Sequence, residues 1–351
     1  MHKIKHVWEK ITDLNNIKTA ILCASAKKKH RKVVQKVLSG IDVYALEIQN
    51  MLLEKTFTPA RYIPVQIRDG SAQKTRLIHK PRFYPDQCIH WALSLPLQDA
   101  WGKSIYPYSC GSIPGRGLHM GARALKRWLA NDPKGTKYCY KFDVRKYYPS
   151  IDHDVLINQF QRKIHDPDAL WLIEKIIRSI DHGLPIGNFT SQWFANLYLS
   201  DFDWWVRQDQ GMKYYQRYID DVVIMHHNKK ELHSLRKRIE EKLINEYKLT
   251  IKDNWQVFKV DSRGIDFLGY RFFYHKTIIR KSTAYRLAKR VKKVSRKPEI
   301  SLSDASAIMS YLGITRHCNS YNFVKRYVVP FVSLSELKEI HRENCKLIAS
   351  A

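Results

Sequence analysis

Residues 217–225 read RYIDDVVIM, and the run from Tyr214 to Met225 sets two adjacent aspartates, Asp220 and Asp221, between aromatic and β-branched residues. β-Prone residues on both sides of a short acidic centre predict a strand, a tight turn and a second strand. Successive strand side chains point to opposite faces, so neighbouring aspartates reach one site only where the chain turns. A third acid, Asp143, closes another apolar run, Tyr138-Cys139-Tyr140-Lys141-Phe142. Carboxylates beside a core are costly unless they are paired or bind a cation. Two hard divalent cations held by carboxylate oxygens stabilise both the attacking and the leaving oxygen of an in-line phosphoryl transfer. The pattern points to metal-assisted chemistry at phosphorus, while YIDD taken alone also suits a solvated hairpin turn.

Around these acids the chain alternates between two patterns. Val34, Val37, Leu38, Ile41, Leu46, Ile48, Leu52 and Leu53 recur at helical spacing, with Gly40 as a break. From Tyr62 to Pro81 the short runs YIPVQI and TRLIHK flank Asp69-Gly70-Ser71, which predicts a β-hairpin. A glycine-rich loop with Gly111, Gly115 and Gly117 then feeds a helix over about 119–130. Further helices are expected at 153–164, 168–180, 190–208 and 229–247, strands at 255–260 and 265–280, and helices through the last seventy residues. The glycine loop lacks the lysine-serine or lysine-threonine pair of a phosphate loop, so its glycines read as hinges.

The 351 residues carry 61 Lys+Arg against 33 Asp+Glu, a formal net charge of +28. A field of that sign attracts polyanions, nucleic acid first and an anionic membrane surface second. No apolar run approaches the roughly 18 residues of a spanning helix, and the N-terminus lacks a leader's apolar core, so a cytoplasmic protein is expected. Six scattered cysteines with no C-x-x-C pair argue against a zinc ribbon and read as reduced thiols. The 44% hydrophobic content is enough for real cores.

Four blocks stand in order: KFDVRKYYPSID (141–152), GLPIGNFTSQWFANLYLSDFD (183–203), RYIDDVVIM (217–225) and GIDFLGYRF (264–272). Together they resemble the successive blocks of a reverse transcriptase palm, and with the hairpin and the basic C-terminal segment the resemblance covers about residues 58–340. It implies a mixed α/β (α+β) right-hand polymerase fold. The divisions expected are an N-terminal helical extension (1–57), fingers (58–135), a palm with the three aspartates (136–275) and a basic helical thumb (276–351). By the same resemblance Asp143, Asp220 and Asp221 bind two magnesium ions, with manganese as a substitute, and Val144 lends a backbone carbonyl. Tyr148 matches the family's steric gate, which would exclude a ribose 2′-hydroxyl, although Tyr147 and Tyr148 also suit a core. Arg76 matches a fingers arginine that clamps the triphosphate, with Arg68 and Lys74 as lesser candidates. Ile186 and Gly187 fall at the nucleotide, and Gln192, Gly269, Lys289, Arg290, Lys292 and Lys293 at template and primer.

The block LPIGNFTSQ narrows the family. Many reverse transcriptases have glutamine where this chain has Ile186, and a Ser-Pro ending where it has Thr190-Ser191-Gln192. This form resembles the reverse transcriptases of diversity-generating retroelements. The resemblance implies copying of a structured template RNA from an RNA or DNA primer with dNTPs, errors at template adenines, and a small helical pentameric accessory protein. One departure stands out. Where relatives place a pyrophosphate-protonating lysine this chain has Trp255, with Lys252 and Lys259 on either side, so no general acid is assigned. The rivals are an antiphage-defence enzyme, a retron enzyme, a group II intron protein, disfavoured because no length remains for maturase and endonuclease, and a non-catalytic RNA-binding protein. Three acids set beside a phosphate backbone would not help a pure binder.

Overall fold

The computed structural model describes residues 4–69 and 74–349, with the side chains of Arg68, Asp69, Lys74, Arg76 and residues 343–349 outside that description. The strand pair expected around the acids forms as β5 (Tyr214–Tyr218) and β6 (Asp221–His226). They lie in a five-stranded sheet with β3 (Ser109–Cys110), β4 (Tyr138–Asp143) and β7 (Gln256–Lys259), in the order β3-β5-β6-β4-β7. β3 was not expected. It adds two residues parallel to β5, with Ser109 opposite Arg217 and Cys110 opposite Tyr218.

The hairpin over 62–81 is β1 (Ile63–Asp69) paired antiparallel with β2 (Lys74–Lys80), from Ile63 opposite Lys80 to Asp69 opposite Lys74. The single run expected over 265–280 is instead three short strands, β8 (Ile265–Phe267), β9 (Tyr270–Phe272) and β10 (Thr277–Ile279), in the order β10-β9-β8. The break between β8 and β9 is local: Leu268 and Gly269 both have positive φ, 53° and 83°, as a two-residue hairpin turn between right-twisted strands requires.

Cα packing divides the chain into two units that do not follow chain order. The first holds Met1–Gly117, Lys141–Val222 and His233–Gln256. Its N-terminal helices, among them Leu14–Ser25 and Ile41–Leu53 with Gly40 at the break, bury Ile17, Ile21, Ile48 and Leu52. Helix Leu14–Ser25 packs on Cys88–Ser104, which buries Ile89, Leu93 and Leu97. Asp166 serves two ends at once: one oxygen caps helix Pro167–Ile177 through Ala169 N, and the other accepts Val7 N and Trp8 N, each at 2.8 Å. The helix expected over 190–208 breaks at Leu199 into Phe189–Tyr198, Ser200–Trp204 and a wider turn, Trp205–Asp209.

The second unit holds Leu118–Tyr140, Val223–Leu232 and Val257–Ala351. Its helix Lys281–Val294 buries Thr283, Leu287, Val291 and Val294, a stripe at helical spacing that packs with Ala305, Ile308, Leu312 and Val328. Among the described residues no helix is long and apolar enough to cross a membrane.

Candidate active site

The turn between β5 and β6 consists of Ile219 and Asp220, and of the two only Ile219 is left-handed, at φ 57°. A positive φ at the first turn position normally calls for glycine, and a β-branched residue there is strained by about 1–3 kcal/mol. The surroundings hold it. Arg217 Nη1 donates to the Ile219 carbonyl at 2.8 Å, and Val144 N donates to the Asp220 carbonyl at 3.0 Å. Gly111 lies beneath: a Cβ there would meet the Ile219 side chain at 3.1 Å and the Tyr218 ring at 3.2 Å. Gly111, read from sequence as a hinge, is thus a floor for the turn.

Arg217 is wholly buried and so is Asp203, its partner. The guanidinium binds the carboxylate through Nη2 at 2.6 Å and Nε at 2.7 Å, and reaches the Asn196 carbonyl at 3.2 Å. Tyr215 donates its hydroxyl to Asp203 as well. A buried charge pair satisfied this completely fixes geometry more than it adds stability. None of this was legible from sequence, because Asp203 sits in the block 183–203 as one of two similar acids.

Asp143, Asp220 and Asp221 come together at the turn. The Asp221 carboxyl is pushed up to about 7, first by burial, and also by the negative charges of Asp143 and Asp220, against the lowering effect of Lys141. Lys141 Nζ stands 3.3 Å from Asp221 Oδ2, and Lys252 Nζ stands 3.5 Å from Asp143 Oδ1. Asp221 Oδ1 is buried without a hydrogen-bond partner. An acid cluster that disfavours its own ionisation fits a cation. Among the described residues no three acidic, histidine or cysteine groups close a metal site by themselves.

The same shift makes a prediction for the metal-free protein. A carboxyl raised in the folded state binds its proton more tightly there, so stability falls as pH rises from about 4 to about 7. Asp221→Asn should flatten that slope and stabilise the metal-free chain at pH 8, as read by thermal melts across pH. An unchanged slope would show that the carboxylate is not held at this disadvantage.

Tyr147 and Tyr148 part company. Tyr147 is buried and donates to the Ala195 carbonyl, a core role. Tyr148 is half-buried, its phenol pushed up to about 12 by burial and then by the charge of Asp220. Ile186 and Gly187 meet β2: His79 N donates to the Ile186 carbonyl at 2.9 Å. Gly187 has φ 136°, and a Cβ there would lie 2.5 Å from the His79 carbonyl oxygen, so only glycine permits this approach.

Arg68, Lys74 and Arg76 lie on β1 and β2, and their side chains fall outside the described residues. Gln192 is exposed on helix Phe189–Tyr198 of the first unit. Gly269, in the second unit, is accounted for by its hairpin turn. There Lys289, Lys292 and Lys293 are exposed, but Arg290 pairs with Asp304 at 2.9 Å. Of the two lysines flanking Trp255, Lys252 is brought to the acids, its own N–H bonding the Asp143 carbonyl at 2.9 Å, while Lys259 lies 3.9 Å from Asp261. Trp255 itself carries the Arg236 guanidinium 4.3 Å over its ring.

An α+β sheet with acids on a hairpin turn and at the end of a neighbouring strand is the arrangement that the palm of a template-directed polymerase would present. Residues 67–272 match the family described as reverse transcriptase (RNA-dependent DNA polymerase), and the chain belongs to it. It is 23% identical over 204 residues to protein YkfC of Escherichia coli K12, covering 54% of this chain and 53% of that protein. It is 26% identical over 207 residues to the group II intron-encoded protein LtrA of Lactococcus lactis subsp. cremoris, covering 56% of this chain and 33% of that one. The match thus spans about half and a third of those relatives. Telomerase of Candida albicans in complex with a fragment of telomeric RNA shares the fold, with a TM-score of 0.50 at 12% identity over 77% of this chain and 55% of that one. Apo telomerase of Candida tropicalis also gives 0.50, at 11% identity over 87% and 63%.

Proposed function

We propose that this chain copies an RNA template into DNA, and that the copying is error-prone at template adenines, as in diversity-generating retroelements. The convergence of Asp143, Asp220 and Asp221 at one turn carries the polymerase reading. The 3′-hydroxyl of a primer forms a bond to the α-phosphorus of a dNTP as the bond to the β-phosphate oxygen breaks and pyrophosphate leaves. Divalent ions, two magnesium or manganese, would lie on Asp143, Asp220, Asp221 and the Val144 carbonyl, and would supply charge to the attacking and leaving oxygens. The residues of the chain would position the reactants: the Arg217 network fixes the turn, and the Tyr148 ring would exclude a 2′-hydroxyl. Arg76, with Arg68 and Lys74, would hold the triphosphate. Lys289, Lys292 and Lys293 would engage the duplex backbone, with affinity falling steeply with salt. Arg290 is the weakest of that set, being committed to Asp304. A structured RNA, whose phosphates would answer the large positive excess, and a small helical pentameric accessory protein, which rests on the family resemblance, complete the proposed assembly.

Tyr148→Ala is expected to lower discrimination against rNTPs by at least about tenfold, or about 1.4 kcal/mol of differential transition-state binding. Single-nucleotide incorporation with dNTP and rNTP checks it, and unaltered exclusion would move the gate to another residue.

The mutagenic part rests on Ile186, an aliphatic side chain that offers no polar contact to the nascent pair. Primer extension on a defined RNA, followed by sequencing of the cDNA, tests both parts. The expected result is errors concentrated at template adenines and reduced in Ile186→Gln. Uniformly low error at all four bases, with the cognate RNA and accessory protein present, would leave a general reverse transcriptase. The sequence similarity to an intron-encoded protein favours that second reading.

A further inference from the structure

We propose that a cavity in the first unit receives one unpaired nucleotide of the template strand, its base against His90 and its phosphate between Lys28 and the start of helix Phe189–Tyr198. This rests on the polymerase reading above. The cavity measures about 330 Å³, within the roughly 300–1,000 Å³ range of small-molecule sites, and its walls include Lys28, His90, Trp91, Asn188, Phe189 and Gln192.

Four features of the cavity point to a nucleotide. His90 is 1% exposed, yet neither ring nitrogen has a hydrogen-bond partner. Burial drops its pKa to about 3, so the ring stays neutral and presents one donor and one acceptor. A base edge offers the same pair of functions, whereas a bare phosphate offers acceptors alone. The ten-residue helix Phe189–Tyr198 begins without a side-chain cap: Asn188 spends its Nδ2 on the Tyr62 hydroxyl at 2.7 Å, and its buried Oδ1 bonds nothing. Its first amides and the positive end of its dipole are therefore available to an anion. Lys28 stands at the rim, its Nζ oriented by the Ala24 carbonyl at 2.9 Å and Gln87 Oε1 at 2.5 Å. Trp91 and Phe189 stack at 3.8 Å and 10° to form a flat aromatic wall. Position selects the template strand as the source. Gly187 lines the cavity and adjoins Ile186, whose carbonyl is bonded to β2, so the cavity opens next to the segment proposed to hold the nascent pair.

The test uses the full chain bound to primer–template whose RNA strand carries a single 4-thiouracil one, two or three nucleotides ahead of the templating base. After irradiation, crosslinked peptides are mapped. Crosslinks from one of these positions should fall within 87–91 or 187–192. His90→Phe, which removes both nitrogens, and Lys28→Met at the rim should each lower them at least about fivefold. Each should also reduce the ratio of overhang to blunt-duplex affinity by about threefold or more. Crosslinks confined to other segments, or an unchanged ratio in Lys28→Met, would overturn the proposal. Loss of the crosslink to added deoxynucleoside monophosphate, with extension continuing, would assign the cavity to free nucleotide and overturn the template source. Extension by the same wild-type preparation without cavity crosslinks sinks this proposal alone, and cavity crosslinks without extension sink the polymerase reading alone.

Discussion

Asp220→Asn is expected to lower primer extension at least about a thousandfold, or about 4 kcal/mol of transition-state stabilisation, while RNA affinity stays within about twofold of wild type. The substitution keeps size and hydrogen-bonding capacity but removes one of three charges at a site already short of countercharge. Asp221 is pushed up to about 7 because burial and the negative charges beside it outweigh Lys141. With one charge fewer, the attraction for a divalent ion drops and the Asp221 carboxyl falls back toward its ordinary range. Asp143→Asn should behave alike, and it also loses the carboxylate facing Lys252 at 3.5 Å. Single-turnover extension at saturating primer–template reads the effect, and an Asp220→Asn enzyme retaining a tenth of wild-type rate would remove these acids from the chemistry.

Arg217→Met is expected to destabilise the chain by about 3–5 kcal/mol, because it strands the Asp203 carboxylate in a wholly buried site. Pairing it with Asp203→Asn removes the stranded charge and leaves an amide that can still serve the Tyr215 hydroxyl, so most of the stability should return in urea titrations. Activity should not return with it. Both variants lack the donor to the Ile219 carbonyl, and that residue is held left-handed against its own preference. The double variant should therefore extend primers at least about tenfold more slowly, with kcat falling more than KM rises. Full activity in the stable double variant would make the ion pair a matter of folding alone.

The acids and a turn beside them were readable because the signal is local, two apolar runs around a doubly acidic centre, but the turn falls one residue earlier than that centre, on Ile219 and Asp220, and Asp221 opens β6. The hairpin β1–β2 and the break at Gly40 follow from equally short-range patterns. The means by which the turn is held were not readable. Nothing in YIDD indicates that isoleucine adopts the conformation glycine prefers, since its β-branching favours a strand. The pairing of Arg217 with Asp203 depends on where the helix breaks at Leu199, and the unbroken apolar pattern over 190–208 hides that break. β3 is two residues long, too short for any periodicity. His90 is one of fifteen histidines in the sequence, and only three-dimensional packing shows that its ring faces a cavity with both nitrogens unpaired.

The order in which the first unit takes its residues from the chain also governs when the site can exist. Asp143 leaves the ribosome well before the segment His233–Gln256, which belongs to the same unit and brings the Lys252 N–H to the Asp143 carbonyl. At roughly 5–20 residues per second, that interval lasts on the order of ten seconds. Through it the nascent chain exposes β4, and in its last third the turn acids as well, without their last neighbours, while residues 118–140 and then 223–232 await partners synthesised later still. Contacts so distant in sequence close slowly. Production of this protein should accordingly respond to slower translation and to chaperones that shield unpaired strand edges, more than a chain of its helix content ordinarily would.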